Sequence, residues 1–366
     1  MVKKQAPKKN PSKKDRQASA ADPIPTVDPQ ILIHQQRILK LFSDAFNPVL
    51  SSEDFTARLQ SIKQALFNRE FDAAFGTEEN LQAYAARWSP TRALCYSSIF
   101  QTIAHHFDEM ALISPPPTNN NDDDENSPEA ASIEISDSNP RKSIKMLCIG
   151  GCAAEQIAFA SLLHQTNSSG HLTLLDAAPW TQVVALLQNH ITSPPLLSKY
   201  ASAAIKAANT PLLEQAQLNT TFSQGDILVL DKEALSSLLG REPLTVTLMF
   251  TLNELYTNGG IGKTTKFLKL LGEVMPDRSM LLVVDSPGSY SEAAVGKEQK
   301  RYPMQWLLDH TMIDPRAPSP GYEWEKIESH DSIWFRLPDG LSYPIQLENM
   351  RYQMHLYQRR STSSTQ

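Results

Sequence analysis

From Lys145 onward the chain alternates short apolar runs with stretches of helical period, and this alternation restricts the fold more than any other feature of the sequence. Strands are expected at 145–149, 171–176, 220–224, 245–252, 280–285, 333–337 and 352–357. Helices are expected at 155–163, 180–189, 233–239, 263–274 and 302–309. A strand followed by a covering helix, repeated, is the pattern of a parallel sheet with helices on both faces. Only the last two strands follow one another with no room for a helix, so they should pair as an antiparallel hairpin at one edge.

The N-terminal third has a different period. Ile31, Ile38, Leu39, Phe42 and Phe46 recur at helical spacing, as do Phe55, Leu59, Ile62 and Leu66. A further helical segment, 78–87, precedes Ser89-Pro90, where proline suits the first turn of another helix through Tyr96, Ile99 and Ile103. Residues 29–113 therefore read as a small all-helical domain. The segment 114–143 holds three consecutive prolines and the run Asp122-Asp123-Asp124-Glu125. It has too little apolar surface to offset its ordering entropy and reads as an acidic, disordered linker. The catalytic-type α/β domain then spans 144–359, with 360–366 as a short tail.

Charge is distributed unevenly. Seven basic residues against Asp15 give residues 1–16 a charge of +6, so a net −6 leaves −12 for the rest. Such a block, within a disordered tail of 1–28, suits solubility, nuclear import or attraction to RNA. No apolar run approaches the ~20 residues that cross a bilayer. The three cysteines, Cys95, Cys148 and Cys152, have no zinc-ligand spacing, and no metal site is expected.

Chemistry concentrates at the ends of the expected strands. Met146-Leu-Cys-Ile-Gly150-Gly151-Cys-Ala-Ala-Glu155 puts an apolar strand, a turn of tiny residues and a helix start in sequence. Gly150, Gly151 and Ala153 let backbone approach a ligand, and the helix start offers free N–H groups. The dinucleotide pattern G-x-G-x-x-G fails here, because Cys152 and Glu155 occupy its later glycine positions. Asp176, at the tip of the second strand, can accept hydrogen bonds from both hydroxyls of a ribose. Asp226 and Ile227, after the third strand, can face an adenine, although Asp226 suits a turn cap nearly as well. Asn253-Glu254-Leu255-Tyr256, after the fourth, parallels the Asn/Asp-Pro-Pro-Tyr/Phe element of amino-methylating enzymes without its prolines. Asn253 could orient a target nitrogen, Glu254 accept its proton and Tyr256 stack on a base. Gly259 to Thr264 imitates a phosphate loop, but its first glycine position is Thr257 and the sheet already has a ligand loop after its first strand. Arg87-Trp88-Ser89-Pro90-Thr91-Arg92 joins cations to an aromatic, suited either to a cofactor or phosphate contact or to packing. Lys297, Lys300 and Arg301 beside Tyr302 and Trp306 suit a solvated helix face or an RNA contact.

With these motifs in this order, the sequence resembles the fungal family of 25S ribosomal RNA uridine-N3 methyltransferases over roughly residues 30–358. The resemblance rests on Arg-Trp-Ser-Pro-x-Arg at 87–92, Leu-Cys-Ile-Gly-Gly at 147–151 and Asn-Glu-Leu-Tyr at 253–256. It implies a Rossmann-like class I methyltransferase sheet flanked by helices, S-adenosylmethionine as methyl donor and large-subunit rRNA uridine as substrate. A monomer acting in the nucleus (nucleolus) or cytoplasm, with no membrane, is expected. In the sites so implied, Gly150, Gly151, Ala153, Asp176, Asp226, Ile227 and Asn253 hold the cofactor, and Arg87, Trp88, Arg92 and Tyr256 the substrate. The general class I pattern has an acid two residues before the first loop glycine, where this chain has Cys148. The group that meets the methionine ammonium is therefore open between Asp176, Glu155 and the N-terminal region. A methyltransferase of proteins or small molecules, or a non-catalytic RNA-binding assembly factor, are the alternative readings.

Overall fold

The computed structural model describes residues 28–111, 141–288, 290–295, 298–316 and 319–362. The basic tail to residue 27, the acidic segment from 112 to 140 and Lys297 lie outside them.

Helices come first: α1 (Pro29–Ala45), α2 (Asn47–Leu50), α3 (Phe55–Asn68), α4 (Phe71–Phe75), α5 (Glu78–Thr102) and α6 (Ala104–Ala111). The α/β part runs β1 (Ser143–Ile149), α7 (Ala153–Thr166), β2 (Ser169–Asp176), α8 (Thr181–Thr192), the single turn α9 (Ala203–Ala207), β3 (Leu218–Gln224), α10 (Lys232–Leu239) and β4 (Thr245–Met249). It continues with α11 (Leu252–Glu254), a π-turn at Leu255–Gly259, α12 (Ile261–Val274), β5 (Met280–Asp285), β6 (Tyr290–Val295), β7 (Glu298–Pro303), α13 (Met304–Met312), β8 (Tyr322–Phe335) and β9 (Met350–Ser361).

Seven strands form one sheet in the order β3-β2-β1-β4-β5-β9-β8. The first five are parallel, with Ile149 of β1 level with Leu175 of β2 and Leu248 of β4. β9 enters antiparallel beside β5 and pairs with β8 as the expected edge hairpin. β4 and β5 are buried along their whole length, and their residues are apolar but for Thr245, Thr247 and the terminal Asp285. The outer strand β3 is rich in Asn, Thr and Ser and half open to solvent. Chain order reverses between β1 and β4, so a crevice opens beyond their carboxyl ends, where open α/β sheets take ligands.

The N-terminal helices do not keep a core of their own. Ile38, Phe42, Leu94 and Phe100 share one buried cluster with Met146, Phe159 and Leu187 of the α/β part. α5 lies along α7 and carries its side chains to the rim of the crevice. Its length departs from expectation: helix was expected to stop before Ser89-Pro90 and restart, yet one helix runs through Pro90. Proline removes the N–H that would bond the carbonyl four residues back, that of Ala86. Tyr343 supplies the substitute, its hydroxyl donating to Ala86 O at 2.7 Å. Tyr343→Phe should therefore leave a buried carbonyl unpaired and cost about 1–3 kcal/mol, read as a lower midpoint in urea with unchanged slope.

Other departures are local. β4 stops at Met249, three residues short of expectation, because Phe250 takes a left-handed backbone (φ 59°). The ribbon β6–β7 was not expected, and Lys300 and Arg301 fall on it outside the described side chains. β8 begins at Tyr322, well before 333, and β9 extends through Arg360 and Ser361, which the sequence placed in a disordered tail. Among the described residues no helix is long and apolar enough to cross a membrane.

Candidate active site

A cleft of about 950 Å³ lies over the carboxyl ends of β1 to β4 and is roofed by α3 to α5. Its floor is the turn from β1 into α7. Gly150 has φ 74° and donates its N–H to Leu175 O at 2.9 Å, while its carbonyl accepts from Thr251 Oγ1 at 3.1 Å. A Cβ at Gly150 would run into the Thr251 side chain, and one at Gly151 into the Glu155 carboxylate. Both glycines are thus required by close approach as well as by backbone angle. Ala153 and Ala154 open α7, whose N-cap Cys152 makes no side-chain bond to the helix. The N–H groups of Ala153 and Ala154 therefore remain free, while that of Glu155 turns to its own carboxylate.

Carboxylates line the walls. Asp176 ends β2, accepts from Ala178 N at 2.8 Å with one oxygen, and is pushed up to about 6 by burial. Glu155, 5% exposed, is pushed up to about 7 by burial, against the pull of its own N–H and of Arg92. Asp226 caps a short turn by accepting from Leu228 N at 2.9 Å, yet it lines the cleft with Ile227. Asp226 is thus a turn cap that also lines the cleft.

The aromatic roof was not foreseen. Phe75, Tyr84 and Trp180 meet edge to face, with Phe75 and Tyr84 ring centres 5.0 Å apart and Tyr84 and Trp180 6.1 Å apart. Arg92 reaches in from α5, donates to Tyr84 Oη at 2.5 Å and sits 5.8 Å from the Phe250 ring centre. Phe250 is held at the strand tip in its strained conformation by Phe250 N donating to Val284 O at 2.6 Å. Strain of that kind concentrates at functional sites. An aromatic following a buried apolar strand was the only sequence signal for it.

Several expected site residues face elsewhere. The strand was expected to run to 252 with the Asn253–Tyr256 motif at its end, but residues 252–259 coil into α11 and the π-turn, and a helical period points neighbours in different directions. Glu254 and Asn258, one turn apart, face the cleft, with Asn258 Nδ2 donating to Glu254 Oε2 at 3.0 Å. Tyr256 turns into the second apolar core, fully buried, and cannot stack on a base there. Asn253 does not line the cleft; its N–H donates to Asp285 Oδ2 at 3.1 Å. Arg87 and Trp88 lie outside the cleft as well. Arg87 pairs with Glu348 at 2.6 Å and so fastens α5 to the C-terminal part of the chain, while Trp88 packs 4.9 Å from Tyr84 on the same helix. Of that motif, Ser89 and Arg92 line the cleft. The imitation phosphate loop is closed: Thr264 is buried and its hydroxyl donates to Leu255 O and Gly260 O.

A cleft at the β1–β4 reversal, with a required glycine turn, a ribose-type carboxylate and an unpaired glutamate, fits a nucleoside joined to an amino acid. A family model described as a putative SAM-dependent methyltransferase matches residues 42–358. The chain belongs to this family. It is 30% identical over 351 residues to the 25S rRNA (uridine(2843)-N(3))-methyltransferase of Saccharomyces cerevisiae, covering 88% of this chain and 85% of the relative. Among solved structures, the CurJ carbon methyltransferase matches at 12% identity and a TM-score of 0.38, over 91% of this chain and 71% of the other. A 16S rRNA (adenine(1408)-N(1))-methyltransferase from Catenulisporales acidiphilia matches at 12% identity and a TM-score of 0.34, over 60% of this chain and 88% of the other. The family is described as SAM-dependent, which implies S-adenosylmethionine as the cofactor of this chain.

Proposed function

We propose that the protein methylates N3 of a uridine in 25S large-subunit rRNA, with S-adenosylmethionine bound in the β1–β4 cleft. The observation that carries the substrate is the 30% identity, over most of both chains, to a yeast enzyme of that name. When bound, the donor would supply a methyl group activated on a sulfonium. Asp176 accepts the ribose hydroxyls, and the Gly150–Gly151 turn admits the chain beside it. Glu254 would take the proton that uracil N3 must lose when it accepts the methyl group. Glu254 is exposed at the cleft rim and steadied by Asn258, so it can meet a base that approaches from outside. Base pairing covers uracil N3, so the target enters unpaired or flipped, and the stacking surface falls to Phe250 and the rim aromatics in place of Tyr256.

The basic segment 1–16 suits a polyanionic substrate, and nuclear or cytoplasmic action on rRNA or its precursor follows from the same reading. The test is transfer of labelled methyl to large-subunit rRNA, free and in particles, followed by nucleoside analysis. Label is expected in 3-methyluridine. Glu254→Gln should lower turnover by about 10²–10⁴-fold while leaving donor binding within about twofold, the range for loss of a positioned proton acceptor. Label on protein only, or none on either RNA form, would discard the rRNA assignment.

A further inference from the structure

We infer that Glu155 and Arg92 together hold the amino-acid end of the methyl donor, Glu155 taking its ammonium and Arg92 its carboxylate, so that helix α5 completes the cofactor site. This rests on the donor reading given above and goes further, since it assigns the recognition of the methionine moiety to residues of two separate parts of the chain.

The residue two before Gly150 is Cys148, fully buried, with its thiol pushed up by burial. A neutral thiol is a poor partner for an ammonium. Another anion has to stand near the glycine turn, and Glu155 does. It is the third residue of α7, and its carboxylate folds back into the space left by the missing Gly151 Cβ. A glutamate at a helix's third position is common, because its carboxylate can reach back to the N-cap N–H. Ordinary examples sit in solvent. This one is nearly buried, lines the cleft and, among the described residues, pairs with no cation, an arrangement that is costly until a cation arrives.

Arg92 is the mirror case. It is half-buried on α5, lines the same cleft and spends one donor on Tyr84 Oη. The rings of Tyr84 and Phe250 lie 5.6 and 5.8 Å from its guanidinium carbon. No carboxylate pairs with it among the described residues, although a guanidinium offers five N–H groups in a fork that matches one. Glu155 and Arg92 feel each other's charge without forming an ion pair. Two opposite, separated charges facing one cavity are complementary to a zwitterion, and an α-amino acid is one. Inserted between them, it pairs both groups at once.

The test is calorimetric binding near pH 7.5 with three probes. S-adenosylhomocysteine carries both charges, its decarboxylated form keeps only the ammonium, and 5′-methylthioadenosine has neither. Glu155→Gln should weaken the first two by about 30-fold or more and leave methylthioadenosine within threefold, from the loss of one charge-assisted bond. Arg92→Gln should weaken only S-adenosylhomocysteine, and Arg92→Lys should recover part of that loss. Methylthioadenosine also reports whether each variant keeps its cleft. An unchanged affinity of Arg92→Gln for S-adenosylhomocysteine would place the carboxylate on the free N–H groups of α7 and overturn the assignment. Equal losses for all three probes would make both residues structural and overturn it too. A wild-type protein that binds none of the probes would bring down the donor reading itself.

Discussion

Asp176→Ala should weaken binding of S-adenosylhomocysteine and of 5′-methylthioadenosine alike, by 100-fold or more, and reduce methyl transfer to rRNA accordingly. The carboxylate stands at the tip of β2, level with Gln224 of β3, over a cleft whose floor is the Gly150 turn. One oxygen already accepts from Ala178 N, which fixes the carboxylate's orientation before any ligand arrives. Two hydroxyls of a ribose donating to an ionised carboxylate are worth about 1.5–3 kcal/mol each, so their joint loss corresponds to about 10²-fold or more. Because both probes carry the ribose, both should suffer. That distinguishes this residue from Glu155 and Arg92, whose loss spares methylthioadenosine. Asp176→Asn keeps the Ala178 contact through its carbonyl oxygen and should fall between. Calorimetry on the two probes, with thermal melting to confirm folding, measures this directly. An Asp176→Ala protein that binds both probes within threefold of wild type would remove the ribose role and leave Asp176 as a turn cap.

What could be read from the sequence follows from how local the physics is. The run Met146 to Glu155 showed strand, turn and helix because all three signals lie within ten residues: an apolar central strand, two glycines that no side chain can replace, and alanines opening a helix. Asp176 was legible for the same reason, as a polar residue ending an apolar strand. The helix through Pro90 was not, because the group that makes it tolerable, the Tyr343 hydroxyl, comes from the far end of the chain. Asn253 and Tyr256 went astray because the strand was read too far. Once Phe250 turns the chain out of the sheet, a helical period replaces the alternation of a strand, and the cleft receives Glu254 and Asn258 instead. Arg92 stood within a flagged motif, but only the packing of α5 along α7 decides that it enters the cleft while Arg87 pairs with Glu348. The fold is therefore written mostly in local periodicity, and half of the site in contacts between distant segments.

The same tension between site and scaffold gives the second large expectation. Glu155→Gln should stabilise the ligand-free protein at pH 8 while weakening its grip on the donor. In the folded state the Glu155 carboxyl is pushed from 4.5 up to about 7, chiefly by burial. Asp176 adds to the rise, while Arg92 on α5 and the residue's own N–H oppose it. Cys148 and Cys152, the thiols beside it, are held neutral by burial, as is the Tyr96 hydroxyl on α5. A raised folded value means that Glu155 contributes fully to stability below the unfolded value of 4.5 and that this contribution is lost as pH rises through about 7. At 1.36 kcal/mol per pKa unit, the loss is on the order of 3 kcal/mol by pH 8. Glutamine keeps the shape and carries no charge, so it escapes that loss. The variant should melt about 5 °C above wild type at pH 8 and level with it near pH 4.5, given the unfolding entropy of a chain this size. With S-adenosylhomocysteine saturating the wild type, the order should reverse, since ligand that binds only the folded state stabilises it. A glutamate kept for structure predicts the opposite sign, with lower melting temperatures for the variant at every pH. A stabilising substitution at a buried charge that costs binding is the mark of a residue retained for its ligand.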